Sequence, residues 1–127
     1  MSIRARLFPL LMLLATLPAL PASAASPCRD PQTQADLTQC AGEDYRKADR
    51  ELNAVYAQVL KKLPPEFHAA LKKAQQAWIK SRDADCELEP WDVEGGSMWP
   101  MSHTGCMRAK TVERTAWLRQ LIDESRF

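Results

Sequence analysis

The stretch that most limits how this chain can fold runs from Leu71 to Cys86, Leu-Lys-Lys-Ala-Gln-Gln-Ala-Trp-Ile-Lys-Ser-Arg-Asp-Ala-Asp-Cys. At roughly 100° per residue, Phe67, Leu71, Ala74, Trp78 and Ser81 fall on one side of a helix, with lysines and glutamines elsewhere. The pattern predicts an amphipathic helix with a tryptophan on its inner face and a cysteine at its end. In an oxidising compartment that cysteine has to be tied to another, and the tie limits how neighbouring helices can lie.

The N-terminus points to export. Met1 to Arg6 is short and basic, Leu7 to Leu20 is apolar, and Pro21-Ala22-Ser23-Ala24 offers a small-x-small cleavage site, so residues 1–24 read as a signal peptide cut after Ala24. The apolar run is about 14 residues against the roughly 20 a spanning helix needs, and no second run follows, so no membrane span is expected after cleavage. Removing 24 residues from 127 leaves about 103 for one domain, 25–127. Arg4 and Arg6 leave with the leader, so seventeen basic residues become fifteen against sixteen acidic ones, and the slight basic excess disappears. No basic stripe or motif marks a nucleic-acid footprint.

A domain this small commonly needs staples. Its four cysteines, Cys28, Cys40, Cys86 and Cys106, therefore read as two disulfides. Asp30 and Pro31 form an N-cap followed by a first-turn proline, which places the start of a first helix there. Its apolar stripe is Tyr45, Ala48, Leu52, Val55, Tyr56, Val59, Leu60 and Leu63, with Gly42 expected to loosen the helix before it and Pro64-Pro65 ending it. The second helix runs from about Pro65 to Cys86. Glu87 to Met101 holds two prolines and two glycines without any period and is expected to be a long loop. A third helix starts near His103 or Thr104 and carries Met107, Thr111, Arg114, Leu118, Leu121 and Ile122 on one face.

Three helices, one tight turn and one long loop make an all-α, disulfide-stapled up-down bundle. Such a bundle gathers all four cysteines at one end, where three pairings are conceivable. Cys28 with Cys40 and Cys86 with Cys106 is the expected choice, since each closes a local, non-helical connection. Arg114 falls on the buried face, where its permanent charge calls for a carboxylate, and Asp49 and Asp85 are positioned to supply one. This reads as a structural ion pair setting helix register. His68 is expected on an exposed surface. A metal site from His103 with Cys86 and Cys106 lacks ordered ligand spacing, and Asp83, Asp85, Glu87 and Glu89 lack the pattern of a calcium-binding loop, so no metal or cofactor is expected.

The runs Gln34 to Ala41, Asp49 to Tyr56 and Gln75 to Cys86, then Gly95-Gly96-Ser97, Cys106, Thr111 and Arg114, together resemble the lysozyme inhibitor LprI-like N-terminal domain family over nearly the whole mature chain. The resemblance implies a secreted or periplasmic helical domain that is not an enzyme. It also implies a protein partner, a lysozyme or related peptidoglycan-cleaving enzyme. A lysozyme-type glycosidase works through two carboxylates in a cleft, which an inhibitor fills with donors or cations on a protruding segment. The long loop is the candidate, with Ser97, Trp99 and His103 as partner-binding residues. Trp99 supplies rigid contact area and His103 a charge in mildly acidic conditions, whereas Trp91 is expected to fold back on the core. Two other functions fit the same chain: an immunity protein against a wall-degrading toxin, and a small periplasmic enzyme using Asp85.

Overall fold

The structure, a computed structural model, describes residues 27–123. The expected signal peptide and its expected cleavage after Ala24 lie outside the described residues. Three helices make up the bundle, α1 (Gln34–Lys62), α2 (His68–Leu88) and α3 (Trp99–Gln120), with 3-10 turns at Pro27–Arg29, Pro65–Phe67 and Trp91–Val93. There is no strand among the described residues.

Helix α1 starts three residues later than Asp30 and Pro31 suggest. Thr33 is the cap: its hydroxyl accepts from the Asp36 N–H (3.1 Å), and the Asp36 carboxylate accepts from the Thr33 N–H (3.0 Å) and the Gln32 N–H (3.1 Å). A reciprocal cap needs an acid or amide three residues beyond the cap residue. Asp30 has Thr33 at that place and Thr33 has Asp36, so the second site wins. The hydrogen bonds hold the Asp36 carboxyl below its ordinary range. The helix then runs unbroken through Gly42. It ends where Leu63, forced into an extended conformation by Pro64, donates its N–H to the Val59 carbonyl at 2.8 Å. His68 is half-buried rather than exposed, because its Nε2 lies 2.9 Å from the Leu63 carbonyl, one of the acceptors a helix end leaves open.

Helix α3 starts at Trp99, four to five residues before the expected place. Pro100 sits in its first turn, where a missing N–H costs nothing, so it begins the helix instead of blocking it. Thr104 is interior, its hydroxyl donating to the Pro100 carbonyl at 2.7 Å. The α2–α3 connection is accordingly shorter than Glu87 to Met101. It spans 89–98 and contains the turn at Trp91–Val93. Gly95 takes φ +74° there, a left-handed value that a side chain disfavours.

Helix α3 lies along α1 as its main neighbour, while α2 packs less closely on α3 and stands off from α1. Gln34 meets Met101 and Glu51 meets Arg119, so α1 and α3 are parallel. Lys110 with Asp85 and Arg114 with Gln75 show α2 running antiparallel to both. The small buried residues Ala48, Thr111 and Thr115 let two helices approach closely. Each threonine hydroxyl is satisfied within its own helix, Thr111 by the Met107 carbonyl (2.7 Å) and Thr115 by the Thr111 carbonyl (2.8 Å).

The apolar core sits at one end, built from Leu52, Val55, Val59, Leu71 and Leu118 with Tyr56, Leu60, Leu63, Trp78, Leu121 and Ile122 against it. The opposite end is held by disulfides, Cys28–Cys40 with Cα atoms 5.3 Å apart and Cys86–Cys106 at 5.5 Å. This is the expected pairing. On α2 the inner stripe is Leu71, Gln75, Trp78, Arg82 and Cys86, with Gln75 and Trp78 half-buried and the other three buried, whereas Phe67, Ala74 and Ser81 face solvent. The inner face is thus rotated from the expected one, because the arginine that continues it from Trp78 is charged.

Candidate functional site

Two regions stand out, a layer of arginines and aromatic rings at mid-height and the α2–α3 connection at the disulfide end. In the first, Arg82 is 8% exposed. Its guanidinium is held by Asp83, with Nε at 2.9 Å and Nη2 at 2.8 Å from the same carboxylate oxygen, and Nη1 reaches the Thr111 hydroxyl at 3.4 Å. Its carbon lies 4.9 Å from the Trp78 ring centre and 5.9 Å from that of Tyr45. An arginine suits this place because it keeps its charge, forks onto a carboxylate and lies flat on aromatic faces. Burial pushes the Tyr45 phenol above its ordinary value, with the Arg82 charge opposing the shift.

Arg114 continues the layer without the carboxylate it was expected to meet. Its guanidinium lies 3.9 Å over Trp117 and 5.6 Å from Trp78, and its Nε donates to the Gln75 side-chain oxygen at 2.9 Å. Asp85 is taken by Lys110 at 2.9 Å, and Asp49 accepts from the Asn53 amide at 3.2 Å. The expected ion pair of Arg114 with Asp49 or Asp85 is therefore not formed. The faces of two indoles and an amide oxygen stand where the carboxylate was expected. Arg114 Nη2 is sealed from solvent with no acceptor among the described residues. Burial lowers the Arg114 pKa, though a guanidinium keeps its proton. The hydrogen bond that Lys110 donates to Asp85 raises the pKa of Lys110.

Trp78 and Arg82 form a shared wall between two grooves. One, of about 300 Å³, lies between α1 and α2 beside Leu52, Tyr56 and Ile79. The other, of about 280 Å³, lies between α2 and α3 beside Lys110, Arg114 and Trp117. Sequence reasoning gave Arg82 no role. Its position four residues after Trp78, and four before Cys86, is the signal that places it on the inner face.

In the second region, Ser97 is exposed at the connection. Trp99 and His103 belong to the first turns of α3, half-buried and stacked on each other with ring centres 4.8 Å apart. His103 Nε2 lies 3.5 Å from a Glu87 carboxylate oxygen on α2. Trp91 does not fold back on the core. It is 71% exposed, as is Leu88, and Met98 is exposed nearby in the chain. Between Arg82 and Arg108 there is no lysine or arginine, while Asp83, Asp85, Glu87, Glu89, Asp92 and Glu94 crowd the first half of that interval. The connection is thus an apolar surface set among acids.

Among the described residues no group of three or more histidines, cysteines, aspartates or glutamates is placed to hold a metal ion. Among them, too, no helix is long and apolar enough to cross a membrane.

Over 128 aligned positions the chain is 40% identical to an uncharacterised protein of Rhizobium meliloti (strain 1021), covering 91% of this chain and 92% of that one. No solved structure matches it. Residues 26–118 match the family described as Lysozyme inhibitor LprI, a span that includes both disulfides, the Trp78 layer and the whole α2–α3 connection, and the chain belongs to that family.

Proposed function

We propose that the protein is exported to the periplasm or beyond, and that it binds and inhibits a lysozyme or related wall-cleaving glycosidase through the 89–98 connection. Membership of a lysozyme-inhibitor family supports the class of partner. The observation that carries the contact surface is the exposure of Leu88, Trp91 and Met98 on and beside a connection anchored by the Cys86–Cys106 disulfide. A large indole held out to solvent on a stapled segment is rigid contact area, the kind that dominates protein interfaces.

The charge of this region shapes the mode of inhibition. The connection carries no lysine or arginine to offer a glycosidase's carboxylates. Its chemistry instead is an apolar centre, the Ser97 hydroxyl and a rim of acids, which suits a basic surface around the mouth of a cleft. Trp99 and His103 serve as the base of this contact, stacked on each other beside Glu87.

The test is a binding and lysis assay of the disulfide-bonded protein against a panel of lysozymes of differing net charge. Inhibition of at least one basic lysozyme, weakening as salt is raised, is the expected result. Absence of binding to any wall-cleaving enzyme overturns the reading.

A further inference from the structure

The groove between α2 and α3 is walled by Trp78, Ser81 and Asp85 on one side and Lys110, Arg114 and Trp117 on the other, with Arg82 and Glu113 completing it. Its charges are mostly spoken for. Arg82 is held by Asp83 and Lys110 by Asp85. Arg114 differs: among the described residues no carboxylate, Glu113 included, lies within the 4 Å of an ion pair, and its Nη2 has no acceptor at all. A guanidinium donor left without an acceptor away from water is unfavourable, and a ligand oxygen that reaches it recovers that loss.

We propose that this groove is a carboxylate-binding site, with Arg114 as the anchoring cation and Trp117 as its movable cover. Three features select a carboxylate. The guanidinium lies over the Trp117 ring and near that of Trp78, and beside flat ring faces a planar anion fits better than a tetrahedral one. A carboxylate matches the donor fork of arginine in its own plane. With Arg82 held by Asp83 and Lys110 by Asp85, Arg114 is the cation of the lining left without a paired carboxylate among the described residues, which suits a singly charged anion. Trp117 is 39% exposed, so turning its ring outward opens the guanidinium without disturbing the core. The carboxylate comes either from an aspartate or glutamate of a bound protein or from a small free acid. The site stands apart from the 89–98 connection and does not depend on the inhibitory reading.

The experiment titrates the disulfide-bonded protein with sodium acetate, and separately with an acetylated, amidated pentapeptide containing one aspartate. Sodium chloride at matched ionic strength is the control. NMR follows the Arg114 Nε–H and the Trp78 and Trp117 indole N–H signals. Saturable shifts at Arg114 and Trp117 with the carboxylates, and none with chloride, are expected. Arg114→Gln should abolish them. Arg114→Lys keeps the charge but loses the fork, and should weaken binding tenfold or more, with circular dichroism showing that its helices are intact. Tighter binding of the peptide than of acetate identifies a protein side chain as the source, and equal binding a free acid. Shifts that chloride reproduces, that never saturate, or that are as tight in Arg114→Lys overturn the proposal.

Discussion

Arg82 and Trp78 lie one helical turn apart on α2, with the guanidinium carbon 4.9 Å from the indole centre and the arginine 8% exposed. Around that pair the three helices meet, since Arg82 also reaches Thr111 on α3 and lies near Tyr45 on α1. Where α2 stands off from α1, these two long side chains fill part of the space that shorter apolar residues would leave open.

Arg82→Ala is expected to lower the unfolding free energy by about 2–3 kcal/mol, from lost packing of the side-chain stem and loss of the aromatic contacts. Asp83 is half-exposed, so removal of Arg82 does not strand a buried charge. Arg114→Ala is expected to cost less, about 1 kcal/mol, since it breaks no ion pair and removes a donor that had no acceptor. Urea denaturation of both variants checks the order, and a larger loss for Arg114→Ala contradicts it.

The sequence alone points to Arg114 as the structural arginine, and the reason the larger effect falls to Arg82 is physical. On α1 the inner face is entirely apolar or aromatic, and its stripe from Tyr45 to Leu63 is buried or half-buried as the three-and-four spacing requires. On α2 the stripe passes through Gln75 and Arg82, which a count of apolar residues skips, so the expected face was rotated onto Ala74 and Ser81. The partner of Arg114 was equally out of reach, because an indole can replace a carboxylate beside a guanidinium and spacing cannot tell them apart. Pro100 shows a third case, in which the same residue ends or begins a helix according to the turn it occupies. At the candidate contact, Ser97 was legible as an exposed loop residue. The exposure of Trp91 depends on how the turn at Trp91–Val93 is set between the two helices.

The disulfides are expected to map as Cys28–Cys40 and Cys86–Cys106 in non-reduced peptide digests, with no Cys40–Cys86 peptide. Replacing Cys86 and Cys106 together by alanine should lower stability by about 3 kcal/mol on the chain-entropy estimate. It should also loosen the connection that the bond anchors, seen as faster amide exchange at 89–98 than in the parent.

Stability should fall at both ends of the pH scale for different reasons. The folded state raises the pKa of Lys110 above its ordinary 10.5 through the bond it donates to Asp85, and that of Tyr45 above 10.0 through burial. Both contributions are therefore whole below the ordinary values and lost as pH rises through the folded ones. Asp36 is lowered from 3.8, chiefly by its bond with Thr33, so its contribution is present above that value and lost as pH falls through the folded one. Melting temperatures across pH should show Lys110→Gln and Tyr45→Phe each flattening the alkaline limb and Asp36→Asn flattening the acid limb. An unchanged profile in all three variants contradicts these assignments.

The inhibitory contact is tested most directly by comparing lysozyme inhibition by the parent protein with that by Trp91→Ala, both first shown by circular dichroism to have the same helical content. Trp91 is 71% exposed and supports no part of the core, so its loss should leave the fold intact. Against a lysozyme that the parent inhibits, Trp91→Ala should raise the inhibition constant by at least about thirtyfold, equivalent to a hot-spot loss of about 2 kcal/mol. Equal inhibition by the two proteins would contradict the account and move the contact away from the 89–98 connection.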